Sequence, residues 1–161
     1  LEVLRYETGL KWEGSVSARR ALMRDHFGGD SRLEHYDADD LFAPVASGSS
    51  APDAVVLAPC SMGAAARIAA GSSDSLIERV ADVALKERRD LIVVPRETPF
   101  NRIHLENLLR LSTAGAHIVP AMPAFYQRPQ TVEAMVDFVV GKILDALRIE
   151  HTLFPRWGTE P

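Results

Sequence analysis

An α/β fold built on a doubly wound parallel sheet is predicted for this chain by three features of its sequence. Two short apolar runs, Ala54-Val55-Val56-Leu57 and Leu91-Ile92-Val93-Val94, have the length and β-branched content of strands covered on both faces, and His117-Ile118-Val119 supplies a third. Segments of helical periodicity lie between and after these runs, the alternation that gives parallel strands joined by helical crossovers. Polar or hydroxyl residues follow each run, at the sheet edge where open α/β folds bind ligands.

The elements follow in order. Leu1 to Tyr6 reads as the last turns of a helix stopped by Gly9, with no recognisable signal peptide. From Ser15 to Phe27, Val16, Ala18, Ala21, Leu22 and Phe27 recur at helical spacing, and Gly28-Gly29 closes that helix. Arg32 to Tyr36 alternates like a short sheet-edge strand, Asp37 to Val45 reads as a short helix, and Ala46 to Ser50 as a surface loop. After the strand ending at Leu57, the run Ala58-Pro59-Cys60-Ser61-Met62-Gly63-Ala64-Ala65-Ala66 reads as a tight turn that opens a helix. Asp74 stands where the next helix needs an N-cap, and Leu76, Ile77, Val80, Val83 and Ala84 form its apolar stripe up to Lys86. A helix from about Asn101 to Ser112 follows the second strand, with Leu105, Leu108 and Leu109 expected inward and Gly115 as its stop. Thr131 to Leu147 carries Val132, Met135, Val136, Val139, Ile143 and Leu147 at helical spacing, and the tail from His151 to Pro161 has no period.

Composition narrows the function. The 161 residues, 47% hydrophobic, suit a single domain over 1–161 with a real core, without repeats or low-complexity segments. A formal net charge of −4 without a basic block argues against nucleic acid, and no apolar run is long enough for a membrane span. Cys60 is the only cysteine, which excludes an intrachain disulfide and a Cys-based zinc site and fits a reducing, cytoplasmic setting. At the end of a buried strand it reads as a small packed hydrophobe. His104 and His151 have no metal-ligand spacing, so no metal is expected.

Chemistry concentrates after the strands. Ser61 and the backbone amides of the turn around it suit an anionic or heteroaromatic ligand, although Ala, Gly and Ser there also serve close packing. Arg96 and Glu97 stand between Pro95 and Pro99 in a stiff backbone, which suits either a pre-positioned site or a surface ion pair. Tyr126 in Pro123 to Pro129 is similarly held, as a ligand group or a loop anchor. Arg79 and Lys86, seven residues apart, share a helix face that points either at a phosphate or at water.

Taken together, Pro59-Cys60-Ser61-Met62-Gly63, Ala81 to Arg89, Pro95-Arg96-Glu97-Thr98-Pro99, Pro123 to Pro129 and Phe154-Pro155-Arg156-Trp157 resemble the UbiX-type flavin prenyltransferases in order and spacing, over nearly the whole chain. The resemblance implies a flavodoxin-like, Rossmann-like fold of three layers in a homo-oligomer, a dodecamer. It implies FMN as cofactor, dimethylallyl phosphate as prenyl donor, attachment at N5 and C6 of the flavin without a metal, and UbiD-type decarboxylases as recipients of the prenylated FMN. Ser61, Met62, Gly63, Ala64 and Arg96 match flavin contacts. Tyr126 and Lys142 match holders of the dimethylallyl phosphate, with Lys142 where the family often has Arg, so that the charge is kept and the bidentate fork lost. Arg79, Lys86 and Glu97 match the phosphate end of the site, Glu7 an active-site carboxylate, and Trp157 the tail aromatic. The family pattern also begins with a strand and a Gly-Ala-Ser-Gly phosphate loop, roughly forty residues that would precede Leu1; without them an exposed sheet edge, poor folding and weak FMN binding are expected. Two rival readings are an FMN-dependent decarboxylase of the related flavoproteins and a non-catalytic flavin-binding subunit.

Overall fold

The computed structural model describes residues 5–6, 8–156 and 158, so Glu7 and Trp157 lie outside the described residues. Strands β1 (Ala54–Cys60), β2 (Asp90–Pro95) and β3 (His117–Ile118) form a parallel sheet in the order β1-β2-β3. Residues Leu91 to Val93 on the central strand have no exposure at all, as the unbroken apolar run requires.

Alternation along β2 divides the core. Leu91 and Val93 join a cluster with Val55, Met62, Ala65, Ile68, Ala81, Ala84, Leu108 and Leu111, which come from β1 and from helices α2 (Met62–Ala69), α3 (Leu76–Lys86) and α4 (Arg102–Thr113). Val94 turns to the opposite face and lines a cavity with Met135, Val139 and Ile143 of helix α5 (Val132–Ala146). Helices thus cover both faces in three layers, the doubly wound arrangement expected.

β1 runs on to Cys60 rather than stopping at Leu57. Val55 to Leu57 pair with Leu91 to Val93, but Cys60 pairs with Pro95, so β1 carries one extra residue at Ala58-Pro59. Pro59 has no N–H to give a ladder, and a bulge accommodates it there. Among the described residues no strand pairs with the outer edge of β1, and Val56 is 39% exposed although its partner Ile92 is buried.

Other expectations are corrected. Residues 32–36 form no strand, because arginines of helix α1 (Val16–His26) take their carbonyls and side chains. Arg24 donates to the carbonyl oxygens of Ser31 and Leu33, both at 2.7 Å, while Arg19 donates to His35 and pairs with Asp37. Residues 37–45 hold turns and the start of one 3-10 turn, Pro44–Ala46, followed by a second at Gly48–Ser50. Pro44 disfavours a helical Ala43, whose ψ is 140°. The N-cap of α3 is Ser75, not Asp74: Ser75 Oγ accepts from the Glu78 amide while the Glu78 carboxylate accepts from that of Ser75, a reciprocal box. In α4, Leu108 and Leu111 point inward, whereas Leu105 and Leu109 are exposed.

Candidate functional site

Three cavities that share lining residues lie at and beside the C-terminal ends of β1 and β2. The first, about 450 Å³, is walled by β1 residues Val56 to Cys60, by Ser61, Ala64 and Arg67 of the turn and α2, and by Ile77 and Arg96. The second, about 250 Å³, shares Arg96 and adds Glu97, Thr98, Phe100 and Met122. The third, about 440 Å³, shares Ala58 and Pro59 with the first and Ala121 with the second, and is otherwise apolar along α5.

The turn after β1 folds as it does because Ser61 caps α2, its Oγ accepting from the Ala64 amide at 3.2 Å. Capping takes one of the first amides and leaves those of Met62 and Gly63 at the open helix end. Met62 itself is only 6% exposed and packs in the core, and neither it nor Gly63 is among the residues that line the first cavity. Cys60 is 2% exposed, and burial pushes its thiol pKa up, which disfavours the thiolate a nucleophile needs.

After β2, the Arg96 amide donates to the Cys60 carbonyl at 3.2 Å and ties the two strand ends together. The Arg96 side chain is exposed, and among the described residues it makes no hydrogen bond or ion pair. Glu97 is exposed beside it, one carboxylate oxygen accepting from the Thr98 amide at 3.1 Å. Ser61, Ala64, Arg96 and Glu97 are therefore gathered on one edge.

Tyr126 and Lys142 meet elsewhere, around an aromatic cluster. The Tyr126 ring stands edge-on to Phe138 at 6.5 Å, and the Lys142 ammonium lies 5.5 Å from Phe138 and 5.2 Å from Phe154. Asp145 is 3.7 Å from Lys142, accepts two bonds from Arg156 at 2.7 and 2.9 Å, and sits 3.2 Å from His151. The Arg156 guanidinium holds the Asp145 carboxyl below its usual range, with a further contribution from His151.

Arg79 and Lys86 do share a face of α3, but within this chain that face meets the turns at 44–50. Arg79 Nε donates to the Ala46 carbonyl at 3.2 Å and its guanidinium is 3.7 Å from Asp82; Lys86 pairs with Glu87 at 2.7 Å. Gly48 lies so close that a Cβ there would be 2.9 Å from the Lys86 ammonium.

One cavity residue escaped sequence reasoning. Arg67 stands one helical turn after Gly63, and its Nη1 lies 3.4 Å from where a Cβ of residue 63 would be. Its Nε donates at 2.5 Å to Glu78, which is 2% exposed. The signal was the spacing of Arg67 from Gly63, which puts both on one side of α2.

The profile of the Flavoprotein family matches residues 2–145. The chain is 56% identical over 132 residues to "Flavin prenyltransferase UbiX" of Halalkalibacterium halodurans, covering 82% of this chain and 64% of that relative. It is 48% identical over 159 residues to the UbiX of Pseudomonas aeruginosa, covering 98% of this chain and 76% of the relative. Among solved structures, AnUbiX (PadA1) in complex with FMN and dimethylallyl pyrophosphate is 40% identical with a TM-score of 0.82, over 99% of this chain and 78% of that one. A dodecameric FMN-dependent UbiX-like decarboxylase from Escherichia coli O157:H7 is also 40% identical, with a TM-score of 0.81 over 98% and 78%. The chain therefore belongs to the Flavoprotein family, among its UbiX-type flavin prenyltransferases.

Proposed function

We propose that this chain acts in the transfer of a dimethylallyl group to reduced FMN, yielding prenylated FMN for UbiD-type decarboxylases. The observation that carries the reading is the pair of neighbouring cavities that share Ala58 and Pro59, one lined by Ser61, Ala64 and Arg96 and the other apolar along α5, in a chain this similar to flavin prenyltransferases. FMN fits the donor set: an apolar wall for a planar ring, open amides at the start of α2, and an unpaired guanidinium for its electron-rich edge. When bound, FMN supplies the nucleophilic ring that receives the prenyl group.

The chain's own residues bind and orient. Ser61, the backbone of Met62 and Gly63, Ala64 and Arg96 hold the flavin. Tyr126 and Lys142 hold the phosphate of dimethylallyl phosphate, and the rings of Phe138 and Phe154 around Lys142 exclude water where allylic charge develops. Arg79, Lys86 and Glu97 serve the phosphate end. Arg79 and Lys86 are engaged away from these cavities in one chain, so their part requires a homo-oligomer in which a neighbouring copy presents that face, a dodecamer on the pattern of the Escherichia coli neighbour. Glu7 and Trp157 keep their proposed places as active-site carboxylate and tail aromatic. No described helix is long and apolar enough to cross a membrane. The reducing setting that a single cysteine fits is the reason we place the protein in the cytoplasm.

The test is mass analysis of the flavin after incubation of the protein with reduced FMN and dimethylallyl phosphate. A flavin heavier by one prenyl group is expected, and a flavin of unchanged mass overturns the reading. Two structural neighbours, the dodecameric Escherichia coli decarboxylase and a phenylacrylic acid decarboxylase from Aquifex aeolicus, favour a second reading, FMN-dependent decarboxylation. Release of carbon dioxide from phenylacrylic acids by the FMN-loaded chain, without prenylated flavin, would support that one instead.

A further inference from the structure

Arg67 and Arg96 both line the first cavity. Arg67 spends its Nε on Glu78, and Glu78 is in turn fully used: its other carboxylate oxygen accepts from the amides of Asp74 at 3.0 Å and Ser75 at 3.3 Å. The Nη groups of Arg67 and the whole Arg96 guanidinium have no partner among the described residues. An anion seated between two cations that line one cavity is attracted by both. Glu78 fixes the plane of Arg67, so its fork is presented ready for bidentate contact.

We propose that Arg67, oriented by buried Glu78, is a further anion-holding residue of this site and works with Arg96 on a phosphate-class oxyanion. A tetrahedral oxyanion offers enough acceptors for two forks and the Ser61 side of the cavity, and the wall formed by Val56, Ala58, Pro59 and Ile77 takes an apolar body attached to it. The inference rests on the proposed function only in treating this sheet edge as the ligand site. Its ligand is either a phosphate ester or the free phosphate that departs from one.

Titration calorimetry with inorganic phosphate and with phenyl phosphate, in the absence of flavin and prenyl donor, tests the proposal independently of prenyl transfer. The unaltered chain is expected to bind one or both. Tighter binding of phenyl phosphate marks an ester site, and equal binding marks a site for the free ion. Arg67→Gln removes charge-assisted bonds and should weaken binding about tenfold or more, with Arg67→Lys between the two because it keeps the charge without the fork. Arg110→Gln, on α4 and outside this cavity, should leave the affinity unchanged. Absence of binding by the unaltered chain, equal affinity of Arg67→Gln, or an equal loss in Arg110→Gln would overturn the proposal.

Discussion

Gly141 is the only buried residue of α5, and its missing side chain is where the tail after the helix docks. A Cβ there would collide with the Phe154 ring, reaching its Cδ1 at 2.8 Å, and with His151 Cε1 at 2.7 Å. Both obstacles are rigid rings, so neither can yield as the end of a Lys or Arg would. Gly141→Ala therefore sets two effects against each other. Replacing glycine inside a helix gains about 1 kcal/mol, whereas overpacking of this kind costs about 1–3 kcal/mol. With two rings obstructed, the cost falls in the upper half of that range, and the net loss is about 1–2 kcal/mol. For a chain of this length that lowers Tm by about 2–8 °C. Thermal denaturation followed by circular dichroism measures it. The double variant Gly141→Ala/Phe154→Leu, with a smaller and more flexible side chain at 154, should recover part of the loss. A Tm for Gly141→Ala equal to or above that of the unaltered chain refutes the reasoning, because the helix gain would then be acting unopposed.

Two further outcomes follow from the same aromatic cluster. Tyr126→Phe keeps the ring that stands against Phe138 and removes one hydroxyl; if that hydroxyl serves an ionised phosphate, kcat/KM for dimethylallyl phosphate falls by about one to two orders of magnitude, and unchanged kinetics remove Tyr126 from the site. Arg156 holds the Asp145 carboxyl below its usual range, so the stability it contributes is present above the unfolded carboxylate pKa and is lost as pH falls through the lower folded value. The Tm difference between the unaltered chain and Asp145→Asn should accordingly be steady at neutral pH and shrink below about pH 4; a difference that persists there unchanged contradicts the assignment.

Strand positions were legible because a continuous β-branched run has few other places to go than the middle of a parallel sheet, and Leu91 to Val94 went there. The residues at the strand ends were legible for the same reason, since topology fixes which edge Ser61 and Arg96 occupy. Periodicity said less about helices. It put Leu105, Leu108 and Leu109 on neighbouring stripes of α4, but only tertiary packing decided that Leu108 and Leu111 would be the covered pair. Residues 32–36 misled because alternation also suits an extended segment whose carbonyls bind a side chain, and Arg24 lies too far back in sequence for a local pattern to reveal it.

Arg67 and the pair Arg79 and Lys86 mark the boundary between what spacing decides and what it leaves open. Helical spacing puts Arg79 and Lys86 on one face, and the fold agrees, yet spacing carries no information about what that face meets. The turns at 44–50 meet it, through a carbonyl at Ala46 and the close approach of Gly48. Arg67 shows the converse. Alone on a short helix it reads as a solvated cation, and what distinguishes it is a carboxylate eleven residues later that the capping of α3 has already oriented. The Ser75 and Glu78 box has the three-residue spacing of its kind, although the sequence alone places the cap one residue earlier, at Asp74. Joining it to Arg67 required the packing of α3 beside α2, so a guanidinium that faces the ligand cavity is set by a cap belonging to a different helix.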